Sequence, residues 1–394
     1  MTGAGDVLRT MTVSILDVVF TVEFGAGVGD ADADRIAASW ASCTVAPVAH
    51  ARAVIADVGD GATEGRGSAP AVLVLSSTVA QLEESLTSRL TIEAIGLRRH
   101  DLLMLHACGL AAPDGRVLAF VAASGTGKTT IARALGTRFG YVSDETVGVT
   151  SDGRVLPYPK PLSVKPLTGS APKAQLAPGS LGLRPLPEAP LVLAGVVLLD
   201  RREGVDAPRL EAVDPIDAID DLVPQTSYLS ARPRPITHLV RTLTELGGVR
   251  RLIYSEAERV VDLVEELFAS TGGVAPRDWH DIAPLDPAVE KEVRDGVVVR
   301  EQADDALLLP GGELVLFHDN RLVRLSGIGP AIWNLADGRL GLDALLDAVL
   351  AEVGAPPPGV DPVGVLDAAL DELVELGLIA SGAPPTHTPD GVRA

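Results

Sequence analysis

The chain has 394 residues, enough for two or three domains at roughly 150 residues each, and a formal charge of −20. That charge argues against a nucleic-acid partner, because phosphate contacts require a basic surface. No run approaches the roughly 20 apolar residues of a membrane span, and the N-terminus lacks the basic start, apolar core and cleavage site of a signal peptide. A soluble cytoplasmic protein without membrane contact is expected. Cys43 and Cys108 cannot build a disulfide framework and sit in no metal-ligand spacing; Cys108 reads as a small buried residue.

Residues 1–95 read as an α+β region. Alternation in "TVSILDVVFTVEF" predicts a pair of strands, "PAVLVLS" another strand, and residues 59–70 a loop. Leu82, Leu86, Leu90 and Ile95 fall at helical spacing between Thr78 and Arg99. No catalytic signature is visible here.

Residues 96–271 read as an α/β nucleotide-binding unit. "RVLAFVAA" is a continuous apolar strand, "SGTG" a turn, and "KTTIARALGTRFG" a helix closed by Gly140. "YVSDETVGVTSDGRVLPYP" then predicts two strands about an Asp-Gly turn. Residues 166–190 are so rich in Pro, Gly and Ala that regular structure is not expected; such segments serve as lids or binding loops, or are disordered. "LVLAGVVLLD" is a buried strand ending in Asp200, and "RRLIYS" a later one.

Residues 272–290 read as a linker. In 291–381 short strands are divided by Gly-Gly and Asp-Asn turns, and three helices follow. The first starts near Ser326, the second carries Leu342, Leu345, Leu346, Val349, Leu350 and Val353 on one face, and the third opens with Asp361-Pro362, an N-cap and first-turn pair. Residues 382–394 are expected to be a disordered tail. From Lys291 onward 7 Lys and Arg face 17 Asp and Glu, a balance of −10, either a solvated surface or a module that attracts a basic or neutral peptide.

The chemistry centres on Ala122-Ala123-Ser124-Gly125-Thr126-Gly127-Lys128-Thr129, which matches the phosphate loop G-x-x-x-x-G-K-[ST] except that Ala122 replaces the first glycine. Backbone N–H groups of Ser124 through Thr130 would cradle phosphate oxygens at the positive end of the following helix. Lys128 would neutralise the β- and γ-phosphates of ATP, and the Thr129 hydroxyl would ligate Mg²⁺. Ala122 fits if its φ is negative. Asp144 and Glu145 close the next strand, where a carboxylate can hold Mg²⁺ or accept a hydroxyl proton. Asp200 is a weaker candidate of the same kind.

The stretch "LMLHACGL…GRVLAFVAASGTGKTTIARAL…GYVSDETVGV" resembles the catalytic core of the HPr kinase/phosphorylase superfamily. The resemblance implies that Asp144 is the catalytic acid/base, that Glu145 supports it or the metal, and that His106, in the family's Leu-His element, lies near the nucleotide. The family's second acid is usually Asp, here Glu145. The kinases of lasso-peptide pathways are more similar still, through "SDET…DGRVLPYPKPLSVK", over roughly residues 99–165 with a weaker echo to about 270. On this reading Lys160 or Lys165 meets phosphate or the acceptor; a solvated lysine is the competing reading.

Residues 293–380 resemble PqqD-like peptide chaperones, the RiPP recognition elements, through "DDALLLPGGELVLFHDNRLVRLSGIGPAIWNLADGRLGLDALLDAVL" and "VLDAALDELVELGLI". The likeness implies a winged-helix-like domain that captures a leader peptide by strand addition on "RLVRLS" and helix 363–378. Together the resemblances imply a P-loop kinase, with ATP and Mg²⁺, that phosphorylates the core of a ribosomally made precursor peptide on Ser or Thr. A nucleotide-gated scaffold without catalysis and a small-molecule kinase with a docking tail are the alternatives. HPr kinases assemble as oligomers, so self-association is expected from resemblance alone.

Overall fold

The computed structural model describes residues 9–59, 72–165, 172–269, 277–282 and 297–381. These residues form a mixed α/β architecture of helices and several sheets. They fall into two compact units, one within Met1–Arg232 and Thr242–Pro276, the other within Pro233–Arg241 and Arg277–Ala394. The expected tail 382–394 and most of the loop 59–70 and the linker 272–290 lie outside the described residues. No helix among the described residues is long and apolar enough to cross a membrane.

The first unit opens with the expected strand pair, Thr10–Ile15 antiparallel to Val18–Phe24, which continues in parallel to Arg52–Val58 and Val72–Ser76. Leu16 and Asp17 make the two-residue turn, both at positive φ, 50° and 61°. A left-handed Leu costs about 1–2 kcal/mol. Complete burial of its side chain in the core is worth about 1.5–3 kcal/mol, so packing offsets the strain.

Helix Val79–Leu97 starts at Thr78, whose hydroxyl accepts from the Gln81 N–H at 3.3 Å. It buries Leu82, Leu86 and Leu90 against this sheet, as the periodicity predicts. The same core takes in Leu102, Met104, Leu156 and Tyr158. The N-terminal region therefore shares its interior with the segment that follows it.

A six-stranded sheet forms the rest of the unit, in the order Arg209–Val213, Val249–Tyr254, Val192–Arg201, Arg116–Val121, Ala107–Ala111, Gly140–Ser143. Its three middle strands, from 249–254 to 116–121, run parallel. Helix Lys128–Leu135 packs Ile131, Ala132 and Leu135 on this sheet beside Phe120 and Tyr141. The helix ends at Leu135, five residues before the expected stop. Gly140 instead opens a strand, where an added Cβ would lie 3.0 Å from the Pro185 carbonyl oxygen. Tight packing, not helix capping, requires that glycine.

Two further expectations are corrected. "YVSDETVGVTSDGRVLPYP" makes three short strands, 140–143, Val147–Val149 and Val155–Leu156. Within 166–190, Ala174–Leu176 pairs with Leu162–Val164, and Pro178–Leu181 is a 3₁₀ turn. Backbone pairing overrides composition at 174–176, whereas 182–190 forms no helix or named strand, as expected, and 166–171 lie outside the described residues.

In the second unit one sheet runs His280–Asp281, Asp305–Leu308, Leu314–His318, Arg321–Leu325. A three-stranded sheet joins Asp337–Gly341, Val297–Arg300 and Ile379–Ser381. Asp319 and Asn320 are both left-handed in the hairpin between 314–318 and 321–325, the expected Asp-Asn turn. Helices Gly329–Leu335, Leu342–Val353 and Pro362–Glu375 share one core around Ile332, Trp333, Leu345, Leu366 and Leu370. Arg300 stacks on the Trp333 ring at 4.3 Å. Asp305 is buried and accepts from the Thr237 N–H and hydroxyl at 2.7 and 2.9 Å, which fastens residues 233–241 to this unit.

Asp361 caps the last helix by accepting from the Val363 and Gly364 N–H groups. Asp361→Ala is expected to lower the stability of this unit by about 1 kcal/mol, measured as a urea midpoint shift at unchanged slope.

Candidate functional site

The apolar strand Arg116–Val121 delivers the chain to the glycine-rich loop, and the loop delivers it to helix Lys128–Leu135. Gly125 and Gly127 take φ of 83° and 107°, which favours glycine on steric grounds. Ala122 keeps a negative φ, so the missing first glycine leaves the turn unstrained. Around Gly125 an added Cβ would meet nothing within 4 Å: the loop wraps open space at a helix start whose first N–H groups have no partner within the helix.

Lys128 folds back over the loop and donates to the Ala122 and Ala123 carbonyl oxygens at 2.6 and 3.2 Å. Burial, opposed by Asp144, lowers its pKa. A cation held on neutral carbonyls is available to an anion that offers more charge.

Strand Gly140–Ser143 ends in a turn organised by Ser143, whose buried hydroxyl accepts from the Glu145 and Thr146 N–H groups, each at 3.2 Å. That turn aims Asp144 inward. One of its oxygens accepts from the Thr129 hydroxyl at 3.0 Å; the other accepts from the Tyr141 hydroxyl at 3.0 Å and pairs with Lys160 Nζ at 2.9 Å. Lys160 also reaches Glu145 at 3.2 Å. The Lys160 side chain is only 2% exposed and that of Asp144 3%, whereas Glu145 is 35% exposed.

Burial opposes the charge on Lys160, but Asp144 and Glu145 outweigh it and hold the ammonium above its ordinary pKa. Burial and then Asp144 push the Tyr141 hydroxyl well up, so it stays a neutral donor. The Cys108 thiol is likewise pushed well up, by burial and Asp144, and is no nucleophile. His106 is lowered by burial and Lys128 against the pull of Glu145 and Asp144, which disfavours its imidazolium form.

The expected residues His106, Ser124, Gly125, Gly127, Lys128, Thr129, Thr130, Asp144 and Glu145 line one cavity of about 510 Å³. Thr126 points elsewhere, its hydroxyl donating to Ala123 O at 2.6 Å. Of the expected metal pair, Thr129 is bonded to Asp144 and Glu145 to Lys160. Lys160 is a buried ion-pair partner, which overturns the solvated reading; Lys165 is exposed at the cavity lining. Asp200 is paired with Arg202 at 2.6 Å and lies outside this lining.

Several residues escaped the sequence reading. Glu84, Thr87 and Ser88 of helix Val79–Leu97 form one wall, although the N-terminal region carries no motif. Their i, i+3, i+4 spacing is a polar stripe that any solvated helix face would show. Glu84 accepts from the Lys173 N–H at 3.0 Å and pairs with its ammonium at 3.3 Å, which ties the 162–164/174–176 hairpin to this helix. Tyr141 sits within an ordinary apolar strand pattern.

Breaking a buried pair by removing one partner costs about 3–5 kcal/mol. Lys160→Ala should therefore destabilise the first unit by about that much, and the loss should shrink in an Asp144→Asn background. Urea denaturation of the two singles and the double measures the coupling; additive losses would mean that the pair does not interact. No protein-family model and no curated protein matches this chain.

Proposed function

We propose that this chain is an ATP-dependent kinase of the HPr kinase-like P-loop type that phosphorylates a ribosomally made precursor peptide on Ser or Thr. The observation that carries this reading is Asp144. It is a buried carboxylate in the same cavity as the glycine-rich loop and in direct contact with the hydroxyl that follows the loop lysine. A phosphoryl-transfer site needs this neighbourhood: a phosphate cradle, a cation, a hydroxyl for the metal, and a carboxylate beside the last two.

The residues fit the groups they would hold. Thr129, Asp144 and Glu145 offer hard oxygen donors, which suits Mg²⁺, and the open concavity at Gly125 admits phosphate. When bound, Mg²⁺ would neutralise charge on the phosphate oxygens. Lys128 would exchange its loop carbonyls for the β- and γ-phosphates. Asp144 would orient the acceptor hydroxyl and take its proton as the oxygen attacks the γ-phosphorus, with ADP leaving. Tyr141 and Lys160 fix the carboxylate's direction, so most of the acceleration comes from positioning and preorganised charge.

The second unit supports the peptide as substrate, through its likeness to RiPP recognition elements. Arg321–Leu325 is the last strand of its sheet among the described residues, and such an edge can pair with an extended peptide. Val323 on that strand packs against the core that holds Leu366, Leu370 and Leu373 of the last helix, the helix expected to wall the groove. A leader held there would raise the local concentration of the attached core peptide for the kinase unit of the same chain.

The test is intact-mass analysis of a leader-bearing Ser/Thr precursor peptide incubated with the protein and Mg-ATP. One added phosphoryl group is expected, dependent on the leader. Asp144→Asn should slow transfer by about 10²–10⁴ with ATP affinity changed only a few-fold. An Asp144→Asn enzyme of normal rate would remove the base from this reading; transfer without the leader would remove the clamp.

A further inference from the structure

Lys160 is not merely a brace for Asp144. Its ammonium lies 2.9 Å from one Asp144 oxygen and 3.2 Å from one Glu145 oxygen, and donates to the Pro161 carbonyl at 3.1 Å. Those three partners match the donor capacity of an ammonium. The two carboxylates it bridges are the ones that, with the Thr129 hydroxyl, provide the oxygen donors for a divalent cation. A positive charge is therefore built into the middle of the cation-binding group, on a side chain too buried to swing into solvent.

The charges lining the cavity are basic in balance. Glu84, Asp144 and Glu145 stand against Lys128, Arg133, Lys160, Lys165 and Lys173, and Lys160 pairs with both Asp144 and Glu145. Among the described residues no group of three or more His, Cys, Asp or Glu gathers to hold a metal unaided. A free dication would meet a lining basic in balance, repulsion from the Lys160 ammonium, and too few protein oxygens. A metal already chelated by nucleotide arrives as an anion with its own oxygens, and Lys128 and Arg133 on the cavity lining attract it.

We propose that Lys160 makes divalent-metal binding conditional on nucleotide: it screens Asp144 and Glu145 from free metal, so that the ion enters only with the nucleotide. The inference rests on the kinase reading for the nucleotide, and makes Lys160 a positioning residue that acts through the two acids. It also predicts a division of labour between the site's lysines, Lys128 for the phosphates and Lys160 against the uncomplexed ion.

The experiment uses the full chain and Mn²⁺ as probe, with free Mn²⁺ read by its electron paramagnetic resonance signal, with and without a non-hydrolysable ATP analogue. Wild type should bind Mn²⁺ about tenfold or more tightly with the analogue than without it. Lys160→Gln keeps a hydrogen-bond donor and loses the charge; it should gain about tenfold or more in Mn²⁺ affinity without nucleotide, and Lys160→Arg should resemble wild type. Folding of each variant is checked by circular dichroism.

Equal Mn²⁺ affinity of wild type with and without a bound analogue overturns the proposal, as does a folded Lys160→Gln protein that gains nothing. Should Lys160→Gln not fold, the wild-type comparison and Lys160→Arg still decide, since loss of screening in the charge-retaining variant also counts against it. If the analogue does not bind, the kinase reading fails, and the Lys160→Gln gain in free Mn²⁺ affinity separately decides the screening role.

Discussion

A buried ammonium held between two carboxylates organises the first unit around its cavity. Lys160, Asp144 and Glu145 come from segments that meet only because strand Gly140–Ser143 and the chain leading into Leu162–Val164 are packed side by side, with Tyr141 donating toward Asp144 from below. Neither the Lys160 nor the Asp144 charge would be tolerated singly at such depth. Each therefore commits the others, and through Thr129 the constraint reaches the first turn of the loop helix.

The loop itself is the complementary case. Its shape is set by two left-handed glycines and by a lysine lying on its carbonyls, interactions local to eight residues. Local geometry fixes the cradle, whereas the triad fixes what stands opposite it. The remaining wall comes from helix Val79–Leu97, whose apolar face belongs to the N-terminal core and whose polar face carries Glu84, Thr87 and Ser88. One amphipathic helix thereby makes the N-terminal region part of the cavity rather than an appendage.

Under the proposed peptide-kinase reading, the second unit contributes affinity and the first contributes chemistry. The acidic balance of the C-terminal segment disfavours nucleic acid as its ligand, and an edge strand over an apolar core is the kind of surface that pairs with an extended peptide. The hydrogen bonds from Thr237 to buried Asp305 show that this unit also recruits a stretch from the middle of the chain. Its boundary is thus not a simple cut in the sequence.

Much was legible without coordinates. The glycine-rich loop, the helix start at Lys128, the Asp-Asn hairpin turn, the Asp361 cap and the leucine face of helix Val79–Leu97 all depend on residues within a few positions of one another, and each appears where the pattern places it. In helix Leu342–Val353 only Leu345 and Val349 of the expected face are buried, and Leu342 and Val353 are exposed. The same locality limits such reading. The helix end after Leu135, the need for Gly140, the pairing of 162–164 with 174–176, the burial of Lys160, and the wall made by Glu84 are decided by groups 10 to 89 positions apart. The sequence by itself determined that a glycine-rich loop before a helix and two neighbouring acids are present. Only the tertiary structure decided that a lysine belongs between those acids, because the burial that makes such a charge tolerable is a property of packing between distant segments.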